Sequence, residues 1–378
     1  METFRHSWIR TEYLIWNISG PGDALLGEQT LSGVGRNNLI TPGPANISIS
    51  DGVLFSPGAV NGISGVAQTP SLSGLSNSNL NGFRGTFGVP IPTGALEFSG
   101  FVLAEHHDQY QDADINIPGT LIQRQIDANA AATIGGTTGL NGLAAQNGQS
   151  ATFISQAALL GGARSDTTFI NYDVNYHARL TTAVWGTEGN YVMDSPDPNS
   201  PFQLRPSFGF RYLSFHDALD QDGQYFTDTT RTTIATRHID SAVYNNLYGP
   251  QIGLRSELSF YQALIGFEPK LMMGLNTWES DLTTSQVFSA ADPTKSLLQR
   301  GTTFAPLVDL KAYTNIALTK NMSFFFAYNF IWSGSLIRSY NDIVYNKNAI
   351  STNSDFSLLK NYTSATIQGL SFGCEFRY

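Results

Sequence analysis

Polar and apolar residues alternate with a period of two along ten stretches of this chain. The last, "TIQGLSFGCEFRY" (366–378), puts Leu370, Phe372, Cys374, Phe376 and Tyr378 on one side. Gly369, Ser371, Gly373, Glu375 and Arg377 fall on the other, because successive side chains of a strand point to opposite faces. The other nine lie at 7–17, 81–91, 95–105, 181–193, 202–214, 243–258, 263–278, 303–318 and 322–333. Each is about as long as a tilted strand must be to cross a bilayer. Alternation alone also fits a soluble β-sandwich or jelly roll. The connections decide between them. Short links (92–94, 194–201, 259–262 and 319–321) alternate with long loops (18–80, 106–180, 215–242, 279–302 and 334–362). Short turns at one end and long loops at the other mark an outer-membrane barrel.

The expected fold is therefore all-β: one domain over 1–378 forming a transmembrane antiparallel up-and-down barrel of about ten strands. Twelve is the alternative, if segments 45–56 and 168–176 add a pair. Closure leaves no strand edge unpaired in hydrocarbon. On the lipid face Tyr13, Trp185, Tyr191, Tyr212, Tyr248, Tyr328, Trp332 and Tyr378 are candidates for an aromatic belt at headgroup level. Pro206, Pro250, Pro269 and Pro306 lie inside predicted strands. They are expected at bulges or rims, since proline removes a ladder donor. By parity the lumen receives Arg10, Glu12, Arg84, Glu97, Glu105, Glu188, Arg205, Arg211, Arg255, Glu257, Glu268, Lys270, Asp309, Lys311, Glu375 and Arg377. A ten-stranded barrel is nearly filled by its own side chains, so these charges should pair. Closure would bring Arg10 and Glu12 to Glu375 and Arg377. Such a network is either a structural plug or a charged constriction that selects small solutes.

Composition narrows the partners. Charged residues make up 13% of the 378 residues and hydrophobic ones 41%, with a mean hydropathy of -0.13. There is no long apolar run for a membrane helix. A net charge of -9 leaves no basic footprint for nucleic acid. Cys374 stands alone, so no disulfide forms within the chain. The start "METFRHSW" has no apolar signal core, and an exported protein would carry this sequence as a mature or trimmed chain.

The segments "WIRTEYLIW", "FGFRYLSFHDALD", "YNNLYGPQIGLRSEL", "AYNFIWSGSLIRSYNDI" and "QGLSFGCEFRY" resemble the porin-like outer-membrane β-barrel proteins abundant in planctomycete bacteria. The resemblance covers both ends and most of the second half, and it implies an outer-membrane location. It brings no catalytic or ligand residues with it. The final Tyr378 stands where Phe is commoner, and the barrel-insertion machinery reads such a terminal aromatic. Outer-membrane lipids and that machinery are the expected partners.

The long loops offer little chemistry. Stretches 120–134 and 149–160 contain helix formers and could be short helices. His106, His107, His177, His216 and His238 lie toward the long-loop end, several beside Asp108, Asp217 and Asp240. Such groups can hold Zn²⁺ or activate a water, but a polar rim collects them without function. No metal site is assigned, and His106, His107, His216 and His238 stand only as a rim group. "DALDQDG" (217–223) lacks the closing Glu of a Ca²⁺ loop. There is no G-x-S-x-G elbow, P-loop or HExxH, so neither enzyme activity nor a cofactor is expected. The functional expectation is passive passage of small polar solutes or ions through a narrow charged lumen. A sealed structural or adhesive barrel, and a barrel-top hydrolase using rim His and Asp, stay open as alternatives.

Overall fold

Ten long strands close into one ring. They are β1 (Trp8–Ile18), β2 (Asn77–Ile91), β3 (Gly94–Leu103), β4 (Val174–Met193), β5 (Phe202–Phe226), β6 (Ile234–Phe260), β7 (Ala263–Ser285), β8 (Lys295–Ala317), β9 (Met322–Ile337) and β10 (Tyr362–Arg377). A computed structural model describes residues 7–22, 26, 63–70, 72, 75–111, 119–126, 141–142, 152–155, 157–160, 169–172, 174–197, 200–226, 233–287, 290–345 and 356–378. Every wall strand pairs antiparallel with its sequence neighbours, and β10 closes on β1 from Trp8↔Arg377 to Ile18↔Ile367. A break at Ala104–Glu105 interrupts β3, and His106–Gln111 continues its line along β4.

Side-chain parity makes the two faces. On β5 the outward row reads Phe202, Leu204, Pro206, Phe208, Phe210 and Tyr212, then turns polar at Ser214 and His216. Ten residue steps of about 3.3 Å, tilted by about 40°, span roughly 25 Å, the height of a barrel's lipid-facing band. The same border falls at Tyr248 on β6 and Leu275 on β7. Phe83, Phe98, Phe304 and Phe372 carry the band around the ring and are exposed. All eight aromatic candidates point outward. Trp185 packs on Tyr212 at 5.0 Å between ring centres, and Tyr212 lies opposite Tyr248, so three strands share one arc at the upper border. Tyr191 and Tyr378 lie at the short-turn end, where the Tyr191 hydroxyl donates to Thr93 Oγ1 at 2.8 Å.

The second-half strands run well past the lipid band, with 23 to 27 residues in β5 to β8. Much of the expected loops 215–242 and 279–302 is therefore wall standing above the membrane. There the outer face meets water, so the apolar alternation that marks a lipid-crossing strand disappears. Residues 120–134 and 149–160 are not helical where described. Gly119–Ile126 pairs with Ile63–Pro70, Thr152–Ser155 joins the same small sheet, and Ala157–Leu160 pairs with Phe169–Tyr172. No extra wall pair arises from 168–176, and 45–56 lies outside the described residues.

Pro306 lies as expected beside a bulge, where the β8–β9 ladder stops at Leu307↔Ser333 and Gly334 faces its ring, but Pro206, Pro250 and Pro269 correct a second expectation. They sit within the wall and face outward, with no register shift at any of them. The β6–β7 register runs unchanged from Tyr248↔Leu275 to Gln251↔Met272 and from Gly253↔Lys270 to Ser256↔Phe267, skipping only the pairs around Pro250 and Pro269. A strand residue aims its N–H at one neighbour only, so each proline deletes a single bond from one ladder.

Candidate functional site: the filled lumen

Inward positions change character with height. Along β1 they read Arg10 and Glu12, then Leu14, Trp16 and Ile18; along β5, Arg205 and Arg211, then Leu213 and Phe215. The lower interior is ionic and the layer above it apolar, with buried polar groups such as Asp217 and Gln221 returning further along β5.

At the short-turn end a vestibule of about 790 Å³ is lined by Trp8, Arg10, Glu97, Arg205, Arg255 and Lys311, among others. Above it the charges lock together. Arg255 grips Glu97 with two bonds of 2.7 and 2.6 Å and reaches Glu268 at 3.0 Å. Lys270 lies 3.4 Å from Glu268 and donates to Glu188 at 2.7 Å. Arg211 donates from Nε to Glu188 at 2.9 Å and from Nη2 to Asp309 at 2.5 Å. Across the seam, Arg10 binds Glu12 at 3.0 Å and Glu375 at 3.3 Å, while Arg84 approaches Glu12 at 3.6 Å. Arg377 joins Glu375 at 2.9 Å near the mouth rather than Glu12. Arg205 lies 3.6 Å from Glu257, whose other oxygen accepts from the Tyr313 hydroxyl at 2.6 Å. Tyr313 lies flat across Gly266, where a Cβ would stand 2.2 Å from the ring, so only glycine fits beneath it. Lys311 sits 5.3 Å over the Phe325 ring. Parity placed Glu105 with this set, but the break in β3 turns it out to solvent, where it meets His107 at 3.0 Å. Within the network lies a cavity of about 30 Å³, room for about one water.

Above the ions lies an apolar septum. Leu14, Trp16, Leu80, Leu103, Val184, Phe215, Leu247, Met272, Leu307, Ile331 and Ile367 form one packed cluster, each between 0 and 2% exposed. With those residues every one of the ten strands contributes at least one side chain. Over it folds a segment from the expected loop 334–362. A bulge between Ser333 and Leu336, with Ser335 at φ +57°, ends the pairing of β9 with β8, while β9 stays on β10 as far as Ile337↔Tyr362. Beyond it alternation stops: Leu336, Ile337, Arg338 and Ser339 are all buried. Asn245 receives this backbone like a strand partner, donating to Ile337 O at 2.8 Å and accepting from Ile337 N at 3.0 Å. Asn276 donates to Ser335 O at 3.0 Å. Arg338 Nε binds Asp217 Oδ2 at 2.8 Å, both side chains fully buried, and Thr182 also donates to Asp217 at 2.9 Å. Among the described residues no cation pairs with Asp342; it accepts from Ser241 at 3.2 Å and from Ser280. Burial, opposed by those hydroxyls, pushes its pKa up to about 7.

The rim histidines do not form one group. His106 contacts Ser76 O at 3.1 Å, His107 contacts Thr181 Oγ1 at 3.0 Å, and His216 stacks flat on Tyr244 at 4.2 Å. Only His238 joins a cluster, with Asp220, Asp222 and His177 on the outer face of the extension. Its hydrogen bond to Asp222, against the opposing effect of burial, raises the His238 pKa.

A closed antiparallel ring with an apolar outer band, aromatic borders and an ionic interior is the architecture of an outer-membrane β-barrel protein. The family described as "Putative beta barrel porin-7 (BBP7)" matches residues 8–378; the chain belongs to it. No curated protein matches the sequence. Among solved structures, the outer membrane protease OmpT from Escherichia coli aligns over 100% of this chain and 99% of its own, at 10% identity and a TM-score of 0.47. The outer-membrane expressed OmpT of Vibrio cholerae aligns over the same shares at 7% identity and a TM-score of 0.13.

Proposed function

We propose that this outer-membrane barrel is shut in its resting state and serves as a membrane-anchored scaffold carrying the tall extension above the bilayer. One observation carries the reading: the apolar septum draws on all ten strands, and its named side chains are buried against one another. Fixed wall side chains build that layer, so movement of the inserted segment alone would not open it. The Arg338–Asp217 pair and the Asn245 bonds brace it from above.

A second reading, passive passage of small polar solutes or ions, draws on the charged vestibule that enters from the short-turn end. Under that reading the septum must part. Proteoliposome swelling in small sugars separates the two: the closed barrel gives the rate of empty vesicles, and size-graded swelling overturns it. We read the chain as non-enzymatic, since His216 is committed to a ring stack and His238 to Asp222. Peptidase or esterase turnover lost in His216→Ala or His238→Ala would reverse that. The proposed partners are outer-membrane lipids along the apolar band and the insertion machinery at the strand ending in Phe376 and Tyr378.

A further inference from the structure

The outer face of the extension holds an arrangement that neither the lumen nor the family match uses. His177 on β4, Asp222 on β5 and His238 on β6 stand directly opposite one another in a single row across three strands. Asp220 lies two residues before Asp222 and therefore on the same face. His177 Nε2 is 3.3 Å from Asp222 Oδ2. Ligand atoms of His177, Asp220 and Asp222 all lie within 4.8 Å of one another. His238 Nδ1 is hydrogen-bonded to the other Asp222 oxygen and stands 3.6 Å from Asp220.

We propose that His177, Asp220 and Asp222 form a binding site for a divalent cation of the zinc class, with His238 as the positioning residue that orients Asp222. Bonds of about 2.0–2.2 Å in a tetrahedron put ligand atoms roughly 3.4 Å apart. The His177–Asp222 separation already matches this, and the remaining ones lie within 4.8 Å. One imidazole and two carboxylates suit a borderline cation and leave a fourth position for water. A ligating carboxylate held by an outer imidazole is a common supporting arrangement. Asp220 supplies an independent pointer. Its Oδ1 is shielded from solvent and makes no hydrogen bond, although His238 Nδ1 stands 3.6 Å from it as an ion-pair contact. The cation opposite it, Arg179, is turned away to Gln109 at 3.1 Å. Two carboxylates share this small space, and a divalent cation would hold both more closely than the 3.6 Å contact of His238 holds Asp220. The ion would tie β4 to β5 above the lipid.

The test uses the full chain refolded in detergent, titrated with Zn²⁺ by calorimetry and with Co²⁺ by visible absorption. The wild type should take up one equivalent. His177→Gln and Asp220→Asn should each weaken binding by more than about tenfold, since even outer partners command that range. His106→Gln should leave it unchanged. Absent uptake, or affinity unaltered in both ligand variants, overturns the site. Should the variants fail to refold, the wild type still decides. Zn²⁺ should protect His177 from diethyl pyrocarbonate while exposed His107 keeps reacting, and equal reactivity with and without the ion would also overturn the assignment.

Discussion

Replacing Arg338 with Met probes the brace over the septum. Arg338 and Asp217 are both fully buried and meet at 2.8 Å. Without the guanidinium, Asp217 keeps, among the described residues, the hydroxyls of Thr182 at 2.9 Å and Ser339 at 3.4 Å. A buried carboxylate stripped of its cation costs about 3–5 kcal/mol. That penalty falls first on the docked segment, because Arg338 ties it to β5. Amide exchange in nanodiscs reads it directly, through the Ile337 amide held by Asn245 and the Asn341 amide held by Arg338 O. At about 1.4 kcal/mol per factor of ten, a loss of 3 kcal/mol accelerates exchange by roughly two orders of magnitude. Asp217→Asn alone should do comparable harm by stranding the arginine. The double variant leaves no buried charge at this position and should recover most of the loss, with a coupling of about 2 kcal/mol or more. Exchange that changes less than about threefold in Arg338→Met, or a double variant as damaged as the sum of the singles, would refute the brace.

Three further expectations follow from the same geometry. Phe372→Arg on the lipid band should cost about 2–4 kcal/mol near the bilayer midplane, read by urea unfolding in lipid vesicles; an unchanged midpoint would mean the face is wrongly assigned. Arg211→Leu removes the partner of Asp309 and one partner of Glu188, and should destabilise by about 3–5 kcal/mol without creating permeability; a stable variant with altered ion flux contradicts this. The Asp342 carboxyl, at a pKa of about 7 when docked against about 4 when exposed, keeps its proton on the folded side between those values. Docking of 338–345 is therefore strongest below pH 4 and weakens as pH rises towards 7, by up to about 1.4 kcal/mol per unit. Intrinsic-rate-corrected exchange should show that slope in the wild type and lose it in Asp342→Asn; a slope retained by the variant removes Asp342 as its origin.

The ten wall strands were legible because lipid enforces alternation. Between Phe202 and Tyr212 each outward residue must be apolar, and the inward Arg205 and Arg211 then stand out. Past Tyr212 the outer face meets water, and the rule that exposes a strand lapses at Ser214, though the strand runs on to Phe226. Parity put the lumen charges on the inner face, Glu105 excepted, and closure gave the seam pair Arg10–Glu375, but the partners across the barrel were not legible. Arg255 meets Glu97 across the barrel, 158 positions away in sequence, and shear rather than spacing decides such pairs. The inserted segment was missed because both of its faces are buried. Its signal was present in "SGSLIRSYNDIVY", where alternation ends at Gly334–Ser335 yet apolar residues continue. The grouping of His177 with Asp222 depended on register between strands that the alternation did not reveal.

Single-channel recording of the refolded protein in planar bilayers tests the central claim, a lumen closed by ions below and apolar side chains above. The account predicts a silent membrane after many confirmed insertions, in the wild type and in Arg338→Met alike, because the septum belongs to the wall. Reproducible unitary steps from the wild type would contradict it.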